Sequence, residues 1–264
     1  MNMKKLLVTA GAVILAIAAC SCGNVKKENN TVSSQSQQEA KIEGTLSVYC
    51  GAGMQKPFQE IADAFKAKTG CEVNVTYANA AQIQTQIQES KQGDFFIAGS
   101  KEELKPVESF VASSEDLVKH IPVLVVREGN EKGIQGLKDL TKDDVQTVIG
   151  DPESTPIGKI AKKAFADFKI GEQVHIAATT TTAPQLATVV GMGEADAAII
   201  WKENAKTEGV QICETTDLDK YVKVIPAAKL TCSENKDAAD AFTEFLGSSE
   251  AQEIWISYGY ELAK

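Results

Sequence analysis

The sequence predicts an α/β protein of two lobes, each a mostly parallel sheet flanked by helices, joined by two chain crossings. Three observations carry that expectation. Strand-like and helix-like hydrophobic periods alternate after residue 43; the alternation comes in two successive blocks; and a proline stands near the end of each block, at Pro122 and Pro226. With 43% of residues apolar and 24% charged, the chain has enough hydrophobic material for packed cores of this kind.

The first 23 residues have a different logic. Lys4 and Lys5 precede an apolar run from Leu6 to Ala19, and Cys20 follows Ile17-Ala18-Ala19. Fourteen apolar residues fall short of the roughly 20 that span a bilayer as a helix, so this stretch reads as a cleaved export signal over residues 1–19. It resembles the lipobox of bacterial lipoproteins, with Cys20 as the acylated residue and Cys22 as the weaker alternative. Residues 20–43 are rich in Asn, Ser and Gln and read as a flexible tether. The mature protein is therefore expected to be exported and lipid-anchored to the cell membrane, facing the periplasm or the cell exterior.

Residues 45–50 alternate as a strand, and Phe58, Ile61, Ala62 and Phe65 then fall at helical spacing up to Gly70. Strand 72–77, helix 81–90, strand 94–98 and a helix or turn from Lys101 complete the first block. Residues 121–126 form a strand carrying Pro122, which suits an edge or a point where the chain changes sheets. The second block runs strand 146–150, helix 156–168, strand 173–177, helix 184–190 and strand 197–201, then strands 210–213 and 222–230. Helices 236–246 and 249–257 close the chain. The lobes are expected at 44–121 plus 225–264 and at 122–224.

Charge and composition exclude several functions. Thirty-six acidic against 27 basic side chains give a net charge of −9, and loss of Lys4 and Lys5 with the signal makes it −11, a field that repels nucleic acid. Arg127 is the one arginine, so no clamp of several guanidinium groups holds a phosphate or carboxylate. His120 and His175 are too few for a zinc or di-iron centre, and no metal or cofactor is expected.

Four strand-to-helix junctions instead carry small or capping residues: Gly51-Ala52-Gly53, Asn79-Ala80-Ala81, Ser154 to Gly158, and Thr179 to Pro184. Open α/β sheets bind ligands beyond the carboxyl ends of their strands. Helix N-termini there offer unpaired N–H groups and a dipole that favour an anion.

At these residues the sequence resembles a family. The segments YCGAGMQKPFQEIADAFKAKTG (49–70), VTYANAAQIQTQIQ (75–88), GDPESTPIGKIAKKAF (150–165) and ATVVGMGEADAAIIWKENA (187–205) resemble, in order and spacing, periplasmic molybdate-binding proteins of ABC importers. The resemblance implies the two-lobed type II solute-binding fold, closing on a tetrahedral oxyanion such as molybdate or tungstate. It also implies an ABC permease and ATPase as partners, a monomer, and no enzymatic activity. Carried over by position, it places ligand contacts at Gly53, Ala80, Ile157, Ala183 and Trp201. The family's two serine hydroxyls are absent, because Gly53 and Ala80 stand there, and its tyrosine is replaced by Trp201. Asn79, Gln82 and Thr182, and also Gln55, are near enough in sequence to add amide or hydroxyl donors. A pocket of N–H donors suits a fully deprotonated dianion and penalises hydrogen phosphate, unless an acceptor such as the Asn79 or Gln82 carbonyl is present.

Other readings compete. The missing hydroxyls leave room for another small anion or an organic solute, and the same fold serves adhesion or sensor modules. An enzyme reading rests on Cys50, a thiol at a strand end beside a helix start. Among Cys50, Cys71, Cys213 and Cys232, only Cys213 with Cys232 is entertained as a disulfide.

Overall fold

The computed structural model describes residues 41–42 and 44–264; the signal peptide, Cys20 and nearly all of the tether lie outside the described residues. Strand β1 (Thr45–Gly51) buries Leu46, Val48 and Cys50 on one face and Tyr49 on the other, the period of two that a sheet covered on both sides requires. Helix α1 (Gln55–Thr69) turns Phe58, Ile61, Ala62 and Phe65 inward and ends at Gly70, whose φ of 80° closes the helix in the left-handed conformation. Strand β2 (Glu72–Ala78), helix α2 (Ala80–Ser90) and strand β3 (Phe95–Ile97) follow. β2 and β3 both lie parallel to β1, with Cys50 opposite Tyr77 on one side and Ile97 on the other.

A 3-10 helix (Lys101–Phe110) leads into β4 (Val111–His120), a strand that the alternation did not predict. Its sequence VASSEDLVKH is largely polar and exposed at residues 112–115, and it is a strand because β10 (Lys223–Leu230) pairs along its whole length. At Ile121 the chain passes directly into β5 (Pro122–Arg127) of a second sheet, so Pro122 opens a strand at a sheet change, one of its two expected places. Strand β6 (Thr147–Gly150), helix α3 (Pro156–Phe168), strand β7 (Ile176–Thr180), helix α4 (Ala183–Gly191) and strand β8 (Ala197–Trp201) make the second alternating block. β7 begins three residues later than expected because IAATT is exposed and has no apolar alternation to mark it. After β9 (Val210–Ile212) the chain returns through β10 to helices α5 (Lys236–Leu246) and α6 (Ser249–Ser257) and the short strand β11 (Glu261–Leu262), also unpredicted.

The sheets run β11-β4-β10-β3-β1-β2 and β7-β6-β8-β5-β9. Both are mixed: β1, β2 and β3, and β6, β7 and β8, are parallel, whereas β4, β10, β5 and β9 pair antiparallel where the chain changes lobes. Pro226 lies inside β10 at a register shift rather than at the crossing itself, where a bulge tolerates the missing N–H. One core sits between the first sheet and α1, α5 and α6, with Phe242 edge-on to Phe65 and Phe95 at centroid distances of 4.9 and 5.2 Å. The second lobe packs α3 and α4 against β5, β6 and β8; all five residues of β8 are buried.

Cys213 and Cys232, the one pair entertained as a disulfide, are both free. Cys213 follows β9 in the second lobe and its thiol meets the Ile134 carbonyl at 3.4 Å, whereas Cys232 follows β10 in the first and meets the Gly93 carbonyl at 3.3 Å. Cys50 and Cys71 are free as well.

Candidate functional site

Every candidate residue lies at or just beyond the carboxyl end of a parallel strand: Gly53 after β1, Ala80 after β2, Ile157 after β6, Ala183 after β7, and Trp201 as the last residue of β8. The parallel order β3-β1-β2 makes the first two neighbours, and β7-β6-β8 does the same for the other three.

The helix starts differ in what they leave unpaired. At α3, Thr155 Oγ1 accepts from Gly158 N at 3.0 Å, Pro156 has no N–H, and Ile157 N donates to none of the described residues. Gly158 is held so tightly that an added Cβ would lie 2.3 Å from the Gly150 carbonyl oxygen, which fixes this helix start against the end of β6. At α4 the N-cap Thr182 makes no capping bond, Ala183 is buried, and Pro184 follows. At α2, Asn79 and Gln82 form a capping box. Asn79 Oδ1 accepts from Gln82 N at 3.0 Å, while Gln82 Oε1 accepts from Asn79 Nδ2 at 2.8 Å. Each amide carbonyl thereby accepts from an N–H of the other residue. Gly53 lies in a 3-10 turn (Ala52–Met54), and no atom lies within 4 Å of where its Cβ would be. Among the described residues Gly53, Ala80, Ile157 and Ala183 do not bond one another, and each stands at its own junction.

The lobes meet directly at Trp201. Its indole stacks on His120, the last residue of β4, with centroids 3.4 Å apart and planes 19° apart, and Lys202 N donates to Ile121 O at 2.8 Å. Trp201 is 8% exposed, and the buried indole N–H without a partner among the described residues is that of Trp255 in the first-lobe core. The other face of this junction is polar: His120 Nε2 lies 3.1 Å from Glu203 Oε1, and Nδ1 lies 3.4 Å from Gly99 O. Burial first, and then Glu203, drive the Tyr260 phenol far above its ordinary range. Burial also pushes the Cys50 thiol well up, which favours the protonated form, and its Sγ lies 3.7 Å from Gly51 O, shut away from solvent.

Sequence reasoning missed His120, Glu203 and Glu103. The first two come together through the lobe crossing, which no local pattern marks. Glu103 stands four residues beyond Gly99, at the end of β3, a fifth strand-to-helix junction that was readable in the sequence as GS followed by acidic residues. Its Oε2 accepts from Gly99 N at 2.7 Å, and burial raises its pKa against the lowering influence of that bond, His120 and Lys159. Among the described residues, no group of three or more His, Cys, Asp or Glu side chains is arranged to hold a metal ion.

A profile described as bacterial extracellular solute-binding protein matches residues 46–261. A Haemophilus influenzae protein described only as a binding protein is 27% identical, with 83% of this chain and 91% of that one covered. The molybdate-binding protein ModA of Escherichia coli is 25% identical over 83% of this chain and 90% of its own. Among solved structures, a substrate-binding domain assigned to a molybdenum ABC transporter of Clostridium difficile superposes with a TM-score of 0.71 at 24% identity, covering 84% of this chain and all of that one.

Proposed function

Because the chain belongs to the bacterial extracellular solute-binding protein family, and is thus a binding protein rather than an enzyme, we propose that it delivers a tetrahedral oxyanion to an ABC importer. Molybdate and tungstate are the first ligands to consider, since molybdate is what the Escherichia coli relative is named for. The observation that supports this reading best is the start of α3, where capping by Thr155 and the missing N–H of Pro156 leave Ile157 N as the single unpaired donor. A buried helix start retaining such a donor suits an anionic ligand. Ala183 N, with Thr182, provides the equivalent at α4; Trp201 Nε1, Gly53 and Ala80 complete the contacts. Asn79 and Gln82 act through the amide hydrogens that the capping box leaves over.

In this reading Cys20 carries a lipid anchor, the protein works as a monomer outside the cytoplasm, and its partners are a permease and an ATPase. No cofactor takes part. The test is a melting screen against molybdate, tungstate, sulfate, phosphate and small organic anions. A bound ligand at 100 times its dissociation constant adds about 2.7 kcal/mol of stability. Absence of a shift with every oxyanion would overturn the reading in favour of an organic solute, for which the open space at Gly53 leaves room.

A further inference from the structure

An oxyanion pocket made of N–H groups alone rejects any ion that keeps a proton, because that proton needs an acceptor and finds none. The acceptors closest to hand in sequence are already engaged: Asn79 Oδ1 accepts from Gln82 N and Gln82 Oε1 accepts from Asn79 Nδ2. A different acceptor is present. Glu103 is partly buried just beyond the carboxyl end of β3, the strand next to β1 and its Gly53 turn. Gln84 of α2 grips its backbone carbonyl at 2.8 Å. Oε2 is used by Gly99 N, and Oε1 accepts from none of the described residues.

The charges around this carboxyl come from both lobes. His120 at the crossing and Lys159, two residues after Ile157 on α3, act on it from outside its own helix, and Glu102 is its neighbour in the chain. Geometry places Glu103 beside the crossing: the Gly99 that donates to it meets His120 Nδ1 through its carbonyl at 3.4 Å, and His120 stacks on Trp201.

We infer that Glu103 determines which oxyanions enter the cleft, by supplying through Oε1 the acceptor for an ion that carries one proton, of the hydrogen phosphate type. This rests on the oxyanion reading above and refines it. One proton is shared between Glu103 and the bound ion. Hydrogen phosphate brings its own. A dianion without a proton, such as molybdate or sulfate, binds opposite a bare carboxylate unless Glu103 first takes a proton from solvent. Geometry also predicts what an amide does in the same place. In Glu103→Gln, Gly99 N–H claims the amide oxygen, so the NH2 group takes the place of Oε1 and an acceptor is replaced by donors.

The test compares phosphate, molybdate and sulfate by calorimetry on the purified protein at mildly alkaline pH, where phosphate is chiefly monoprotonated and the other two carry no proton. Glu103→Gln should weaken phosphate about tenfold to a hundredfold, as expected for one charge-assisted hydrogen bond, and strengthen molybdate and sulfate. Glu102→Gln, which alters an exposed neighbour paired with Lys223, should leave the ratio unchanged. In the wild type, repeating the titrations in two buffers of different ionisation enthalpy should show proton uptake with molybdate that is absent with phosphate. The inference falls if Glu103→Gln leaves the phosphate-to-molybdate ratio unchanged, if Glu102→Gln shifts it equally, or if proton uptake is the same for both ions. Those results leave the oxyanion reading intact, whereas failure of all three ions to bind overturns both.

Discussion

His120 and Trp201 lie face to face across the lobe junction, 3.4 Å between ring centroids, and each belongs to a strand of a different sheet. On the proposed reading, a ligand bound between the lobes would change the surroundings of this indole. Trp255, the second tryptophan, is 1% exposed in the core of the first lobe against Tyr260. Ligand should therefore alter tryptophan emission in the wild type and in Trp255→Phe but not in Trp201→Phe, which should also bind more weakly. Retention of both signal and affinity by Trp201→Phe would remove Trp201 from the site.

Restoring hydroxyls at the lobe-one junctions should tighten binding. Gly53 has free space around it and no positive φ, so Gly53→Ser is compatible with the fold. Together with Ala80→Ser it should gain up to about 1.5–3 kcal/mol per hydrogen bond that reaches a charged ligand. Titration of the double variant with molybdate checks this; unchanged affinity would place the anion away from these two junctions.

Glu103 also carries a stability prediction. Its folded-state pKa is raised by burial, so the folded protein binds more protons than the unfolded chain as pH rises through that interval, and stability falls there. Glu103→Gln should melt higher than the wild type at neutral pH, and the advantage should disappear towards pH 4, where both states of the wild type are protonated. Melting curves across that range decide it.

Asp167 behaves oppositely. Tyr221 Oη at 2.7 Å, and then Lys220 at 3.0 Å, hold its pKa down to about 2. Its contribution is present above the ordinary carboxylate pKa and is lost as pH falls from about 4 towards 2. Tyr221→Phe should therefore be less stable than the wild type in the neutral range, and the difference should shrink as pH falls from about 4 towards 2; melting curves across that range check it.

Gly158→Ala should destabilise by about 1–3 kcal/mol or more, since its methyl would meet backbone oxygens of Gly150 and Asp151 at 2.3 and 2.4 Å rather than a side chain that can turn away. Denaturant unfolding measures this, and a loss within about 0.5 kcal/mol would mean that the helix start shifts freely.

The alternating segments were legible because their burial follows local periodicity: α3, α5, α6 and β8 have the limits expected from spacing and caps. β4 was not, because a polar strand is stabilised by its partner β10 rather than by its own pattern. The same distinction divides the site. Thr155 and Pro156 announce a helix start in sequence, and Asn79 with Gln82 is readable as a capping box, although its consequence, two occupied carbonyls, requires coordinates. The stack of His120 on Trp201 and the bond from Gly99 to Glu103 depend on chain crossings and backbone direction, for which side-chain order has no code.

The close approach of Gly158 to Gly150 has a consequence for how ions of different radius are told apart. Ile157 N–H is mounted on a helix start that has no slack against β6, so a larger ion is not accommodated by a local shift of that donor. If the anion binds there as proposed, closing lobes would have to stop earlier on a larger ion, and ionic radius would be converted into a closure angle, a property of the whole molecule's shape that small-angle scattering measures.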